Sequence, residues 1–151
     1  MIKLSKQFSQ NATSAAPRNR SCAGRCPKTR RRGVAIDFLL SIGPYTGRLL
    51  NTLIKGSKAL NILEIGTSYG HSTVFLAEAA RATGGRVITI DCAANKHDYA
   101  RKMLAKAGLA QHVEFRLGDA GNVIASLSGP FDFVLLDLWK DLHLLLRPFL
   151  P

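Results

Sequence analysis

The sequence predicts an α/β fold in which a parallel sheet of about four strands, in the order 3-2-1-4, carries helices on both faces. Between positions 61 and 136, short apolar runs alternate with stretches whose apolar residues recur at helical spacing. That alternation is typical of right-handed parallel crossovers. The runs are largely apolar along their whole length, as expected of strands covered on both faces. The expected architecture is therefore an incomplete Rossmann-like sheet preceded by N-terminal helices.

The N-terminal helices are predicted from two apolar clusters. Residues 36–42 suggest a short helix that stops at Gly43-Pro44, because proline disfavours helical backbone at the residue before it. Residues 49–54 suggest a second helix, for which Gly56 is a plausible C-terminal stop.

The alternating part of the chain supplies the sheet. Ser72 is the expected N-cap of the helix after strand one. Strand four is an edge strand, and its apolar residues favour self-association through that edge. The predicted elements are strand one 61–65, a helix 72–82, strand two 86–90, a helix 96–107, strand three 113–117, a short helix 121–127, strand four 131–136 and a last helix 139–146.

Charge divides the chain into two parts. The net charge is +11, but residues 1–32 hold nine of the 21 Lys and Arg and no acid, which leaves 12 basic and 10 acidic residues from Gly33 onward. A segment with so few large apolar groups is expected to be disordered. We predict a disordered basic tail over 1–32 and one folded domain over 33–151.

Composition also bears on location and partners. No apolar run reaches the ~18 residues that span a bilayer, so we expect no membrane segment and a cytoplasmic protein. The Arg-rich tail leaves open an organelle transit peptide or a nucleic-acid tail, although no basic motif interleaved with aromatic residues supports nucleic-acid binding. Cys22, Cys26 and Cys92 favour reduced thiols over a zinc site, which needs four ligands.

The turn after strand one carries the strongest functional signal. Glu64 closes the apolar run, and Gly66 and Gly70 follow before the next helix. In open α/β sheets ligands bind beyond the carboxyl ends of the strands, and glycine lets the backbone approach a ligand closely. Ser68 and His71 stand where a dinucleotide-binding turn needs glycine, which disfavours a nicotinamide-dependent oxidoreductase. An acid just before the turn suits a ligand with a positive amino-acid group, such as S-adenosylmethionine.

Acids also close or follow the other strands. Asp91 ends strand two, 21 residues after Gly70, where a carboxylate that binds ribose hydroxyls is expected. Capping of the following helix is the alternative for Asp91. Asp119 follows strand three and suits either an adenine amino group or a helix cap, and Asp137 ends strand four.

Two segments resemble a known family. The turn Glu64-Ile65-Gly66-x-x-x-Gly70-x-Ser72 resembles motif I of class I S-adenosylmethionine-dependent methyltransferases. The run Phe133-Val134-Leu135-Leu136-Asp137-Leu138-Trp139-Lys140-Asp141 is similar to the Asp-His-Trp-Lys-Asp segment of catechol O-methyltransferase and related metal-dependent O-methyltransferases. The similar segments together cover about residues 33–141, and the second motif is the more discriminating.

The resemblance implies roles for individual residues. Asp91 would hold the ribose of the cofactor, and Asp119 would lie near its adenine. Asp137 would be a ligand of Mg²⁺, which lowers the pKa of a bound hydroxyl. Lys140 would be the general base that takes the hydroxyl proton, and Trp139 would wall the acceptor pocket. The methionine end of the cofactor would be held by Glu64, Gly66, Ser68, Gly70 and Ser72.

Simpler roles remain open for the residues of the second motif. Asp137 could cap the last helix, Lys140 could be a surface lysine, and Trp139 could close the core. The chain also departs from the family after Asp141, where it has no acid or Asn, whereas the family's fifth strand supplies the remaining metal ligands. Because Mg²⁺ prefers six oxygen ligands, Asp137 alone would bind it weakly.

We therefore expect a C-terminally truncated O-methyltransferase domain. It would use S-adenosylmethionine to methylate a hydroxyl of a small, aromatic acceptor. The alternative is a non-catalytic module that binds S-adenosylmethionine without a working metal site.

Overall fold

The computed structural model describes residues 42–137, which form a four-stranded sheet with helices on both sides. The predictions for the tail 1–32 and for helices near 36–42 and 139–146 lie outside the described residues. The elements are α1 (Gly43–Ser57), β1 (Asn61–Ile65), α2 (His71–Thr83), β2 (Arg86–Asp91), α3 (Ala94–Lys106), a 3₁₀ turn (Ala110–His112), β3 (Val113–Leu117), α4 (Ala120–Ser126) and β4 (Phe133–Leu136).

The sheet has the predicted topology. Its order is β3-β2-β1-β4, and all three strand pairs are parallel. On the central strand, Glu64 lies opposite Thr89 of β2 and Leu135 of β4. Because all strands run the same way, the loops after β1, β2 and β4 emerge at one edge of the sheet.

Helices pack on both faces of this sheet. Ile62 of β1 packs with Ile54 of α1 and Leu76 of α2 on one face. On the other face, Leu63 of β1 packs with Ile124 of α4. A third cluster joins α3 to α2 and β3. The central strand is buried on both sides because adjacent residues point to opposite faces, which explains its continuous apolar pattern.

Helix α1 is longer than predicted at both ends. Pro44 lies in its first turn, where a missing backbone N–H leaves no helical hydrogen bond unmade. Gly43-Pro44 therefore begins a helix here. Gly56 does not end the helix, which continues until Lys58 adopts left-handed backbone with φ 53°. The glycine lies inside the last turn instead of at its cap.

The remaining boundaries differ by small amounts. The observed β1 and β3 have the predicted limits, and α2, α3 and α4 are each displaced by one or two residues. Strand β4 begins two residues later than predicted. Just before it, the Asp132 carboxylate accepts hydrogen bonds from the amides of Leu60 and Asn61, each at 2.9 Å. This side chain ties the start of β4 to the start of β1.

Two further predictions concern the membrane and the cysteines. Within residues 42–137, no helix has the length and apolar character needed to cross a bilayer. Cys92 is disulfide-bonded, so the prediction of reduced thiols is wrong for this residue.

Candidate functional site

The ends of β1, β2 and β4 meet around the turn that follows β1. The amides of Gly66 and Thr67 both donate to the carbonyl of Ile90 in β2, at 2.9 and 3.3 Å. On the other side, the amide of Asp137 donates to the carbonyl of Ile65 at 2.9 Å. The turn is therefore held between the ends of its two neighbouring strands.

The two glycines of the turn are required by its packing. Gly66 and Gly70 have left-handed φ values of 109° and 82°. A Cβ at position 66 would clash with the backbone carbonyl of Asp137, and a Cβ at position 70 would lie 2.9 Å from the Cβ of Ala100 in α3. The sequence suggested that glycine serves close approach of a ligand. The structure adds that the turn packs tightly against protein on both sides.

Asp91 joins this turn to the end of β2. Its Oδ2 accepts a hydrogen bond from the Ser68 amide at 2.7 Å, and its Oδ1 accepts one from the Ala93 amide at 2.9 Å. Ser68 has φ 45°, an uncommon backbone for a residue other than glycine. Ala93, not Asp91, is the N-cap residue of α3. The carboxylate thus fixes the loops after both β1 and β2.

Glu64 lies beneath the turn and is fully buried. Its Oε1 accepts a hydrogen bond from Ser72 at 2.5 Å, and its Oε2 accepts from Thr73 at 2.6 Å and Thr89 at 2.7 Å. Burial raises the pKa of this carboxyl to about 7, against the opposing effect of the three hydroxyl donors. Glu64 therefore holds the start of α2 and the strand β2 together from inside the protein, through these three hydrogen bonds.

The position of Ser72 corrects one prediction. Gly70, and not Ser72, is the N-cap residue of α2. Ser72 lies inside the first turn of the helix, where its hydroxyl donates a hydrogen bond to the buried carboxyl group of Glu64. This hydrogen bond orients the Ser72 side chain toward Glu64.

Asp119 and Asp137 occupy the outer positions of the same edge. Asp119 is the N-cap of α4, and its Oδ1 accepts a hydrogen bond from the amide of Asn122 at 3.1 Å. The capping role that the sequence left open for Asp119 is therefore observed. Asp137 is exposed, and partial loss of hydration raises the pKa of its carboxyl.

A magnesium ion does not fit the described residues on their own. Over the part of the chain that the structure describes, no three His, Cys, Asp or Glu side chains come close enough together to hold a metal. Asp137 is the single predicted ligand in that part, whereas Mg²⁺ prefers six oxygens. The predicted base Lys140 and pocket residue Trp139 lie outside the described residues.

Sequence reasoning missed a group of buried polar residues behind the turn, namely Thr67, Thr73, Thr89 and His97. Thr89 carried a signal, because it interrupts an apolar strand directly opposite Glu64. His97 carried one as well, since it shares a helical face with the buried Ala100 and Leu104. No sequence pattern predicts the burial of Thr67 or Thr73, which is seen only in the structure.

Comparison with known proteins identifies the family. A family model described as O-methyltransferase matches residues 30–145. The chain belongs to this O-methyltransferase family. The family expected from the two sequence motifs is thereby confirmed.

Individual O-methyltransferases are similar over the same region. The catechol O-methyltransferase of Niastella koreensis is 35% identical over 105 residues, which are 67% of this chain and 47% of that protein. The structure of TomG from Streptomyces achromogenes, an O-methyltransferase of tomaymycin synthesis in complex with S-adenosylmethionine, has a TM-score of 0.65 and 35% identity, covering 69% of this chain and 48% of that one.

A second solved structure supports the same fold assignment. The O-methyltransferase from Bacillus cereus in complex with S-adenosylhomocysteine has a TM-score of 0.63 and 36% identity, covering 68% of this chain and 48% of that one. The chain spans about half the length of the O-methyltransferases it matches. These matches confirm the Rossmann-like sheet with helices on both faces.

Proposed function

We propose that this chain binds S-adenosylmethionine at the edge formed by β1, β2 and β4, and that it supports methyl transfer to a hydroxyl of a small, aromatic acceptor. The observation that carries the proposal is the bond between the Ser68 amide and the Asp91 carboxylate. It places a carboxylate beside the turn after β1, at the sheet edge where α/β proteins bind nucleoside ligands.

The chemistry of the surrounding side chains suits this ligand. A carboxylate such as Asp91 can accept hydrogen bonds from two neighbouring ribose hydroxyls. Glu64 orients the Ser72 hydroxyl at the start of α2, where it would meet the methionine end. Asp137 and Asp91 would favour a ligand that carries a positive sulfonium and a positive ammonium group. Gly66, Gly70 and the Ser68 backbone would complete the wall of the cleft, and Asp119 would lie toward the adenine.

Bound S-adenosylmethionine would supply an electrophilic methyl group for the acceptor oxygen, with S-adenosylhomocysteine as the leaving group. The hydroxyl must lose its proton to a base, and resemblance assigns this task to Lys140. The turn and Asp91 would hold the donor in line with the acceptor, and such positioning contributes much of the rate enhancement in two-substrate reactions. Trp139 is proposed, also by resemblance, to line the acceptor pocket.

The binding role of Asp91 is tested by calorimetry with S-adenosylhomocysteine and its 2′-deoxy analogue. We expect Asp91→Ala to weaken binding of the intact ligand by about 1–3 kcal/mol, the scale for losing hydrogen bonds to a charged group. The analogue already lacks one of those hydrogen bonds, so its affinity should fall by less than that of the intact ligand in the same variant. The matched control is Asp98→Ala on the exposed side of α3, which should change neither affinity.

Two results of that calorimetry would remove the ribose assignment. One is an unchanged affinity in Asp91→Ala. The other is an equal loss for both ligands, because the carboxylate would then act only through the loops that it holds together.

Methyl transfer is tested separately by incubating the chain with S-adenosylmethionine, magnesium and catechol, and detecting the methyl ether by mass spectrometry. The proposal expects product, and it expects Lys140→Ala to abolish product while S-adenosylhomocysteine still binds. Tight ligand binding with no product under any metal condition would instead identify a non-catalytic binding module.

A further inference from the structure

A continuous chain of buried hydrogen bonds runs from Glu64 to helix α3. Oε2 of Glu64 lies 2.7 Å from Oγ1 of Thr89, and Thr89 lies 2.5 Å from Oγ1 of Thr67. Thr67 in turn lies 3.1 Å from Nε2 of His97. None of the four residues is more than 3% exposed. The chain links β1, β2, the turn and α3 through side chains alone.

The direction of these hydrogen bonds follows from the proton inventory of the groups. When Glu64 is ionised it has no proton to donate, so the single hydroxyl proton of Thr89 goes to the carboxylate. The short contact with Thr67 therefore requires Thr67 to donate to Thr89. With its own proton so placed, Thr67 can only accept from His97. The arrangement thus requires a proton on Nε2 of the His97 imidazole.

We propose that His97 and Thr67 are positioning residues. Through this directed hydrogen-bond chain they hold the turn after β1, residues 66–70, which we call the cofactor turn, in its binding conformation. The inference rests on the proposed function, because it assigns the turn to S-adenosylmethionine. Thr67 immediately precedes Ser68, whose left-handed backbone directs its amide to Asp91. A Thr67 side chain anchored by His97 limits the rotations available to Ser68.

Other contacts of α3 support a positioning role for this helix. Tyr69, the next residue of the turn, meets the ring of Tyr99 edge-on at 5.4 Å, and the Lys96 ammonium lies 5.2 Å from the Tyr69 ring centroid. Gly70 packs directly against Ala100. Residues 96–100, little more than one turn of α3, therefore contact three positions of the turn after β1, with His97 making the buried polar contact.

The surroundings of His97 favour a neutral ring. Burial is the main cause that lowers the pKa of His97, and Arg101 acts in the same direction, while Asp91 and Asp98 oppose it. The edge of the ring packs against Phe115 with centroids 5.3 Å apart. A neutral imidazole has one N–H, so the proton on Nε2 leaves Nδ1 without one.

The first test reads the tautomer of His97 by nitrogen NMR of the imidazole in the ligand-free chain at pH 8, where Glu64 is ionised, and so does not depend on the proposed function. We expect a neutral ring protonated at Nε2, with that proton slow to exchange. In Thr67→Val, which keeps the shape and removes the hydroxyl, we expect fast exchange or a mixture of tautomers. Thr52→Val on exposed α1 is the matched control. A ring protonated at Nδ1, or a signal unchanged in Thr67→Val, overturns the inference.

The second test measures the affinity of each variant for S-adenosylhomocysteine. We expect His97→Phe to bind about tenfold more weakly, the scale of one lost hydrogen bond in a charged network, with helical content unchanged by circular dichroism. His97→Gln should recover most of the affinity, because its amide can place an N–H near the same position. His112→Phe, remote from the turn, is the control for removing a histidine.

The outcomes separate the two proposals. If the wild-type chain binds S-adenosylhomocysteine and His97→Phe binds equally well, the positioning role fails while the proposed function stands. Equal losses in His97→Phe and His97→Gln also overturn the role, since ring packing and not the donated proton would then matter. If the folded wild type does not bind at all, the proposed function fails, and the tautomer measurement still decides whether His97 anchors Thr67.

Discussion

The carboxyl of Glu64 is fully buried. It accepts hydrogen bonds from three hydroxyls, yet loss of hydration outweighs them and raises its pKa from 4.5 to about 7. In the unfolded chain the same group releases its proton near pH 4.5. Between these two values the folded state retains a proton that the unfolded state has lost. The contribution of Glu64 to stability is therefore greatest below pH 4.5 and declines as pH rises to 7.

This linkage gives a prediction for Glu64→Gln, which cannot titrate. From pH 5 to pH 8, the free energy of unfolding of the wild type should fall relative to that of the variant by about 2–3 kcal/mol. Urea denaturation of both proteins at each pH measures the difference. A difference that stays constant over this range would mean that Glu64 is ionised throughout, and a difference of opposite sign would mean that its hydroxyl donors dominate.

The sequence shows that an acid ends β1 but not what the acid contacts. Its position after an apolar run indicated the sheet edge correctly. Its burial depends on Ser72 and Thr73 from α2 and on Thr89 from β2, and no local pattern brings these three together. The same holds for Asp119, whose two candidate roles have identical sequence signals until the start of α4 is known.

At the level of elements, strands were more predictable than helix ends. The limits of β1 and β3 agree with the apolar runs because burial on the sheet decides both. The start of α2 was misassigned because a serine can either cap a helix or bond to a tertiary partner, and the buried Glu64 decides between them. The end of α1 was misassigned because Gly56 could also lie within a helix, with Lys58 adopting the left-handed backbone.

The turn and α1 offer a matched pair of glycine substitutions. Gly66→Ala should destabilise the protein by more than about 2 kcal/mol, because the new Cβ would meet the Asp137 carbonyl at a left-handed φ of 109°. Gly56→Ala should instead stabilise it by about 0.5–1 kcal/mol, since nothing lies within 4 Å of that position and alanine favours a helix. Thermal unfolding of the two variants measures both changes. Equal effects would contradict the packing of the turn against β4.

For the whole molecule, the edge of the sheet beyond β4 is a candidate association surface. Among the strands that the structure describes, β4 pairs with β1 alone, and Val134 is 37% exposed. Edge strands offer unpaired backbone groups to other chains. We propose that copies of this chain associate through β4, as its apolar sequence suggested.

Association through β4 predicts different effects at the two edges of the sheet. Val134→Lys should reduce self-association in sedimentation velocity experiments, because a charge on an edge strand opposes pairing. Leu117→Lys removes an apolar side chain that is 55% exposed on the opposite edge strand β3, and it should leave association unchanged. An equal reduction in both variants would indicate non-specific apolar contact, and a wild type that stays monomeric would exclude the proposal.

The account depends most directly on whether this chain takes up S-adenosylhomocysteine. Isothermal titration calorimetry of the folded full chain should give saturable binding at one site, weakened in Asp91→Ala and retained in Asp98→Ala. A chain that is folded by circular dichroism and shows no saturable heat up to millimolar ligand would contradict the assignment of a cofactor site to the edge of β1, β2 and β4.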